Sequence, residues 1–266
     1  EKGGYEHFML KEIMEQPKAI ADTVNPRIVD GKITIDELDM SEDEIKKIKK
    51  IYIIGCGSAY HVAVVGKYMM EKNLRISVEV DLASEFRYRN PIIEPDSIAI
   101  VISQSGETAD TLAALRELKK NGVKIVSIVN VVGSSIARES DNVIYTWAGP
   151  EIAVATTKAY STQLAALYLI TLHFAKARGS MTDEEIEQTT KALQNLPSLL
   201  EEVLKTKEQM QYIASKEFNA KSIFFLGRDV DYAVALEGSL KLKEISYIHS
   251  EAYAAGELKH GTIALI

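Results

Sequence analysis

Cysteine is almost missing from this chain of 266 residues; Cys56 stands alone. One thiol excludes an internal disulfide framework and a zinc-ribbon cluster, and it fits a reducing, cytoplasmic setting. No uninterrupted apolar run is long enough to span a bilayer, and the opening Glu1-Lys2-Gly3-Gly4 is not a signal peptide. Positive charge is in deficit: 31 Lys and Arg against 38 Asp and Glu leave a formal net charge of −7. That balance argues against general nucleic-acid binding. No Walker A sequence and no cluster of metal-ligand residues is visible, so neither a metal nor a cofactor is expected. What is present is 46% hydrophobic and 26% charged, enough for one large core or two smaller ones. An acidic chain that binds an anion must do so with local donors.

Residues 1–40 read as an N-terminal segment in which Tyr5, Phe8, Met9, Ile13 and Met14 recur at helical spacing until Pro17 interrupts. Ser41-Glu42-Asp43-Glu44 is a capping box that starts a short basic helix. From there apolar runs alternate with helical stretches. Strands are predicted at 51–54, 76–80, 98–102, 124–129 and 143–146, with a short helix at 83–88 and a long one at 153–177. Five strands with intervening helices predict an α/β fold, a doubly wound parallel five-stranded sheet flanked by helices, spanning residues 41–178. Thr182 to Glu185 is a second capping box, and two polar, Leu-bearing helical segments meet at Pro197, giving connecting helices over 179–217. A new strand at 222–226 and a helix from about Tyr232 open a second unit, 218–266, with room for only one or two strands.

The stretch 98–102 runs straight into Ser103-Gln104-Ser105-Gly106-Glu107-Thr108, and helical sequence follows. A helix N-terminus offers unpaired N–H groups and the positive end of the macrodipole. Ser103, Ser105 and Thr108 add hydroxyl donors, and Gly106 lets the backbone approach a ligand closely. One capping turn would need a single hydroxyl, so the loop reads as a cradle for a phosphate or another small anion. Gly55-Cys56-Gly57-Ser58-Ala59-Tyr60 begins like a dinucleotide fingerprint, with Glu79 or Asp81 near the end of the next strand. Tyr60, however, stands where close packing over a pyrophosphate needs a small residue. The loop therefore reads as a tight turn over a smaller ligand, to which Gly57 and Ser58 present backbone and hydroxyl groups. Cys56, between glycines and with only His61 as a conceivable partner, reads as a packing residue rather than a nucleophile.

Glu237, Lys241, Glu244 and Ile248 fall on one face of a helix, with Lys241 and Glu244 neighbours across one turn. On spacing alone a solvated ion-pair face is the better reading. The functional alternative makes Glu244 a proton-transfer base and Lys241 a charge stabiliser, favoured by the apolar company of Leu236, Leu240, Leu242 and Ile245. His260, in the glycine-flanked Gly256-Glu257-Leu258-Lys259-His260-Gly261, is an acid/base candidate. His7, His61, His173 and His249 have no comparable context.

Six blocks stand in order along the chain. They are Gly55-Cys56-Gly57-Ser58, Ala83-Ser84-Glu85-Phe86-Arg87-Tyr88-Arg89, Ser103 to Thr111, Thr156-Thr157-Lys158-Ala159, Gly238-Ser239-Leu240-Lys241-Leu242-Lys243-Glu244 and Ala252 to Gly261. Together they closely resemble the sugar-isomerase (SIS) half of the glutamine–fructose-6-phosphate aminotransferase family, over essentially the whole chain. The resemblance implies two SIS subdomains, the second cut short, and fructose 6-phosphate bound at the carboxyl edge of the sheet. It gives the phosphate to Ser103, Gln104, Ser105 and Thr108, and the sugar to Gly57, Ser58, Val154 and Thr156. It makes Glu244 the base that moves a proton between C1 and C2, Lys241 its charge partner, and His260 the ring-opening histidine donated by the other subunit of a homodimer.

The family carries an N-terminal glutaminase domain whose nucleophile is the first cysteine. This chain has Glu1 there and is expected not to release ammonia from glutamine itself. A lysine that forms an imine with the open-chain sugar is expected past Ile266. The reading implied is thus the isomerase part of a hexosamine-forming enzyme. It would take fructose 6-phosphate toward glucosamine 6-phosphate, in the cytoplasm, with the glutaminase domain as partner. A SIS module that senses a phosphosugar without chemistry is the alternative, and a nicotinamide-dependent oxidoreductase is disfavoured by Tyr60.

Overall fold

The alternation of apolar runs and helical stretches becomes a parallel sheet in a computed structural model of the chain, which describes residues 1–263. The chain divides into two compact units, residues 1–200 and 201–266. The tail of the predicted second subdomain, residues 264–266, lies outside the described residues.

The first unit opens with helices α1 (Phe8–Met14) and α2 (Gln16–Val24), a two-residue ribbon of β1 (Ile28–Val29) and β2 (Lys32–Ile33), and α3 (Glu42–Lys47). Pro17 starts a helix rather than breaking one, because it sits in the first turn, where no N–H is needed. Both halves of the Ser41 capping box form: the Ser41 hydroxyl accepts from the Glu44 N–H and the Glu44 carboxylate accepts from the Ser41 N–H. The sheet follows as β3 (Lys50–Gly55), α4 (Ser58–Leu74), β4 (Ser77–Leu82), α5 (Ala83–Phe86), β5 (Ser97–Ser103), α6 (Ala109–Lys120), β6 (Lys124–Val129), α7 (Ser135–Glu139) and β7 (Asn142–Tyr145). Its strand order is β4-β3-β5-β6-β7, all parallel. The doubly wound five-stranded sheet expected from the sequence is the one present.

Ile51, Ile53, Ile98, Ile100 and Ile102 face one layer of the core with α4 and α8 (Lys158–Arg178); Tyr52, Ile54, Ala99 and Val101 face the other with α6. Both faces are covered, which is why these strands read as near-continuous apolar runs. The N-terminal segment shares this core through Ile20, Val24, Ile33, Ile35 and Leu38. It also fastens to the last strand. The buried Arg27 guanidinium donates to the Tyr145 carbonyl at 2.8 Å and to Glu37, and the Thr23 hydroxyl donates to the Thr146 carbonyl.

Besides Pro17, two expectations need correction. The long helix begins at Lys158, five residues later than its apolar pattern suggested, because carboxylates take the N–H groups of Ile152, Ala153, Thr157 and Ala159. Pro197 does not separate two helices: it lies inside α9 (Asp183–Leu204). The proline removes one ladder bond, while Ile186, Leu193, Leu196 and Leu200 keep a continuous stripe against the core.

The second unit comprises α10 (Lys207–Glu217), β8 (Ser222–Gly227), α11 (Val230–Ser246), β9 (His249–Ala254) and a 3-10 turn, Ala255–His260. β8 and β9 pair in parallel, in register from Ser222 with His249 to Gly227 with Ala254, and α11 packs on both. Buried Ser250 donates to Ser239 at 3.0 Å, tying strand to helix. No helix among the described residues is long and apolar enough to cross a membrane.

Candidate active site

Strand order fixes where a ligand can sit. The chain leaves β3 for β4 on one side and then crosses to β5 on the other, so the loops after β3 and β5 diverge at a topological switch point. Those two loops carry Gly57 and Ser58, and Ser103 to Thr108.

Gly57 caps α4 with φ 54° and ψ −127°, a conformation that L side chains rarely adopt. No atom would meet a Cβ built there within 4 Å, so the turn leaves open space above its backbone. Cys56 lies 3.7 Å from the Thr111 hydroxyl and packs against the second core layer, as a small packing residue would. Glu79 and Asp81, the acids that a dinucleotide ribose would need, are engaged by Lys50 and Arg89. Burial pushes the Glu79 carboxyl up, but hydrogen bonds and charge from Lys50 and Arg89 bring it below its ordinary value.

The second loop is organised by its own hydroxyls. Buried Ser103 accepts from the Gly106 N–H at 3.0 Å and lies 3.0 Å from the Thr108 hydroxyl; Ser105 accepts from the Glu107 N–H at 3.2 Å. Thr108 caps α6 without a side-chain bond to the helix, leaving its first-turn N–H groups facing the loop. Gly106 is required twice over. Its φ is +65°, and a Cβ would lie 2.0 Å from the Ser134 hydroxyl. Glu107 turns to the start of α7 and accepts from the Ser135 N–H at 2.8 Å; that hydrogen bonding holds its carboxyl below the ordinary carboxylate range. The loop's own anion is thereby drawn off by a neighbouring helix, and the α6 terminus is left for an outside one.

Val154 and Thr156 lie in the irregular segment between β7 and α8, beyond the carboxyl end of the sheet, where Val154 is 99% exposed. Three residues that sequence reasoning missed hold this segment. Asn130 takes its N–H to the Gln104 carbonyl (3.0 Å) and its side chain to Ala148 N–H (2.9 Å) and the Gly149 carbonyl (2.8 Å). The phosphate-loop candidate and the Val154 segment thus share one bridging residue. Glu151 accepts from the Thr157 N–H (2.8 Å), the Ala159 N–H (3.2 Å) and the Thr156 hydroxyl. Glu12, from α1, accepts from Ile152 and Ala153. Only an Asn directly after a strand hinted at any of these; Glu12 lies 140 residues away from its partner.

In the second unit, α11 presents Glu237, Lys241 and Glu244 on one face as the spacing required. Lys241 lies 3.5 Å from buried Glu237 and pairs with Glu244, which is partly exposed. His260 stands exposed on the 3-10 turn after β9. No hydrogen bond or ion pair joins it to Lys241 or Glu244 among the described residues. No cluster of His, Cys, Asp and Glu able to hold a metal occurs among the described residues.

With this geometry in view, the comparisons are specific. The SIS domain family matches residues 44–173 and 218–266. "Glutamine--fructose-6-phosphate aminotransferase [isomerizing]" of Clostridium tetani is 63% identical over 267 residues, covering 100% of this chain and 44% of that protein. The enzyme of the same name from Clostridium acetobutylicum is 61% identical with the same coverage. The chain thus spans less than half the length of the curated relatives it matches. The solved C-terminal domain of glucosamine-fructose-6-phosphate aminotransferase from Francisella tularensis superposes with a TM-score of 0.96 at 45% identity, covering 100% of this chain and 75% of that one. The chain belongs to the SIS domain family, alongside the C-terminal domain of glucosamine-fructose-6-phosphate aminotransferase.

Proposed function

We propose that this chain is the sugar-phosphate isomerase part of a glutamine–fructose-6-phosphate aminotransferase, acting in hexosamine synthesis in the cytoplasm. The observation that carries the reading is the pair of loops at the switch point, one with an open glycine turn and one with three hydroxyls and a free helix terminus. Ser103, Gln104, Ser105 and Thr108 hold the phosphate of fructose 6-phosphate. Gly57, Ser58, Val154 and Thr156 contact the sugar. His260, from the second subunit of a homodimer, moves the proton that opens the ring.

Glu244 then takes a proton from C1 and returns it at C2, through an enediol or enolamine intermediate, with Lys241 stabilising the charge that develops. A positioned carboxylate contributes roughly 10²–10⁴-fold as a general base. The glutaminase domain of the relatives is the partner that supplies ammonia. No metal or organic cofactor enters these steps.

The test is solvent exchange. In deuterated water, the full-length protein that carries this chain should incorporate deuterium at C1 of fructose 6-phosphate and at C2 of the aldose product. Glu244→Gln should bind the sugar phosphate with near-normal affinity and lose exchange. A sensor module would bind with no exchange in either protein; unchanged exchange in Glu244→Gln would remove the assigned base.

A further inference from the structure

Residues 149–157 have no regular hydrogen bonding, yet they carry Val154 and Thr156. An irregular segment keeps one shape only where its backbone donors find fixed acceptors. Glu151, within the segment, serves its far end at Thr156 and Thr157, while the acceptor for Ile152 and Ala153 is imported. Glu12, on the first helix, is 2% exposed, and its carboxylate accepts from the Ile152 N–H at 2.6 Å and from the Ala153 N–H at 3.2 and 3.3 Å. A buried carboxylate is costly unless its lone pairs are filled, so this group is held as tightly by the segment as the segment is by it.

Its surroundings reinforce the arrangement. One helical turn on, Glu15 pairs at 2.7 Å with the buried ammonium of Lys158, the first residue of α8. Burial pushes the Glu15 carboxyl up, but hydrogen bonds and charge from Lys158 and Lys11 carry it below its ordinary value. A cavity of about 290 Å³, lined by Lys11, Glu12, Glu15, Trp147 and Lys158 among others, lies beside this anchor. Glu12 therefore meets the segment just before Val154, and the Glu15–Lys158 pair meets it just after Thr157.

We infer that Glu12 is a positioning residue for the sugar-contacting segment: its buried carboxylate sets Ile152 and Ala153 so that Val154 and Thr156 are presented in one conformation. This rests on the reading above that these two residues contact the sugar. Glu12 touches no substrate itself, so its removal should weaken recognition of the sugar and spare recognition of the phosphate.

Two ligands separate those effects in the full-length protein: fructose 6-phosphate, which needs both, and inorganic phosphate, which needs only the Ser103–Thr108 loop. Glu12→Leu should lower fructose 6-phosphate affinity about tenfold or more, the loss of one charged hydrogen-bonding anchor. Inorganic phosphate affinity should stay within about twofold. Amide exchange at Ile152 and Ala153 should accelerate by a similar factor, with β5 and β6 unchanged. Glu12→Gln, which keeps the shape and one acceptor oxygen, should recover most of both effects.

Should the leucine variant fail to fold, Glu12→Asp, which withdraws the carboxylate by one methylene, should show the same split at about threefold. Faster exchange at Ile152 and Ala153 with unchanged fructose 6-phosphate affinity would overturn the inference. So would equal loss of both ligands in a variant whose sheet amides stay protected. If the unaltered protein binds inorganic phosphate but not fructose 6-phosphate, the sugar assignment fails first, and this role fails with it.

Discussion

The two units contain the same strand–turn–helix–strand device, placed at a constant offset along the chain. Gly55 answers to Gly227, Gly57 to Asp229, and the left-handed helix ends Arg75 and Tyr247 to each other. Both helices run 17 residues, and the strand pairings match, Lys50 with Ser77 and Ser222 with His249. Even the turn angles agree: φ 54° and ψ −127° at Gly57, φ 56° and ψ −130° at Asp229. What differs is the company. β3 is flanked by β4 and β5, and Tyr52 and Ile54 are fully buried. At the equivalent positions of β8, whose only partner among the described residues is β9, Phe224 and Leu226 are 40% and 51% exposed. Local code specifies the device, and neighbouring strands decide how much of it is core.

The largest test of that contrast is a matched truncation. Ile54→Ala should cost about 2–5 kcal/mol through transfer and cavity terms, whereas Leu226→Ala should cost about 1 kcal/mol or less. Urea unfolding with residue-resolved hydrogen exchange reads both, and equal costs would break the comparison.

A smaller effect comes from the shared turn. Gly57→Asp should destabilise the first unit by about 1–3 kcal/mol, the usual cost of holding a side chain in such a conformation. Asp229→Gly relieves the same strain and should stabilise the second unit by about 1 kcal/mol. Thermal unfolding followed by exchange at α4 and α11 amides checks the pair.

The smallest effects sharpen the first unit alone. Ser41→Ala removes a cap and should cost about 1 kcal/mol, seen as faster exchange in α3. Hydrogen bonds from the Ser41 backbone and hydroxyl, with Lys124 nearby, hold the Glu44 carboxyl down at about 2. A carboxyl depressed on folding contributes stability above its ordinary value near 4.5 and loses it as pH falls toward 2. Amide exchange in α3 should therefore speed up over that window, and Ser41→Ala should move the loss to higher pH.

Much of the first unit was legible in the sequence because its strands are buried on both faces. A run such as Ile98 to Ile102 has no competing interpretation once Ser103 and Gly106 end it. The hydroxyl loop and the glycine turn were legible for a different reason, since each is a contiguous motif. The start of α8 was not, because apolar spacing cannot report that Glu151 and the distant Glu12 claim the backbone donors first. Pro197 misled because the stripe from Ile186 to Leu200 outweighs one lost ladder bond. β9 was not separately anticipated: His249-Ser250-Glu251 is polar, and its pairing depends on β8, 27 residues earlier along the chain. Asn130 and Glu12 act between elements, so no local pattern marks them.

The bond from Arg27 to Tyr145 links residues 118 positions apart, and that from Thr23 to Thr146 spans 123. Their consequence lies in the order of synthesis. β7 is the outermost strand of a parallel sheet, the kind of border that recruits foreign strands when left bare. Its fastenings are made first: Thr23 and Arg27 leave the ribosome long before Tyr145 and Thr146, so this end of the border meets its partners as it emerges.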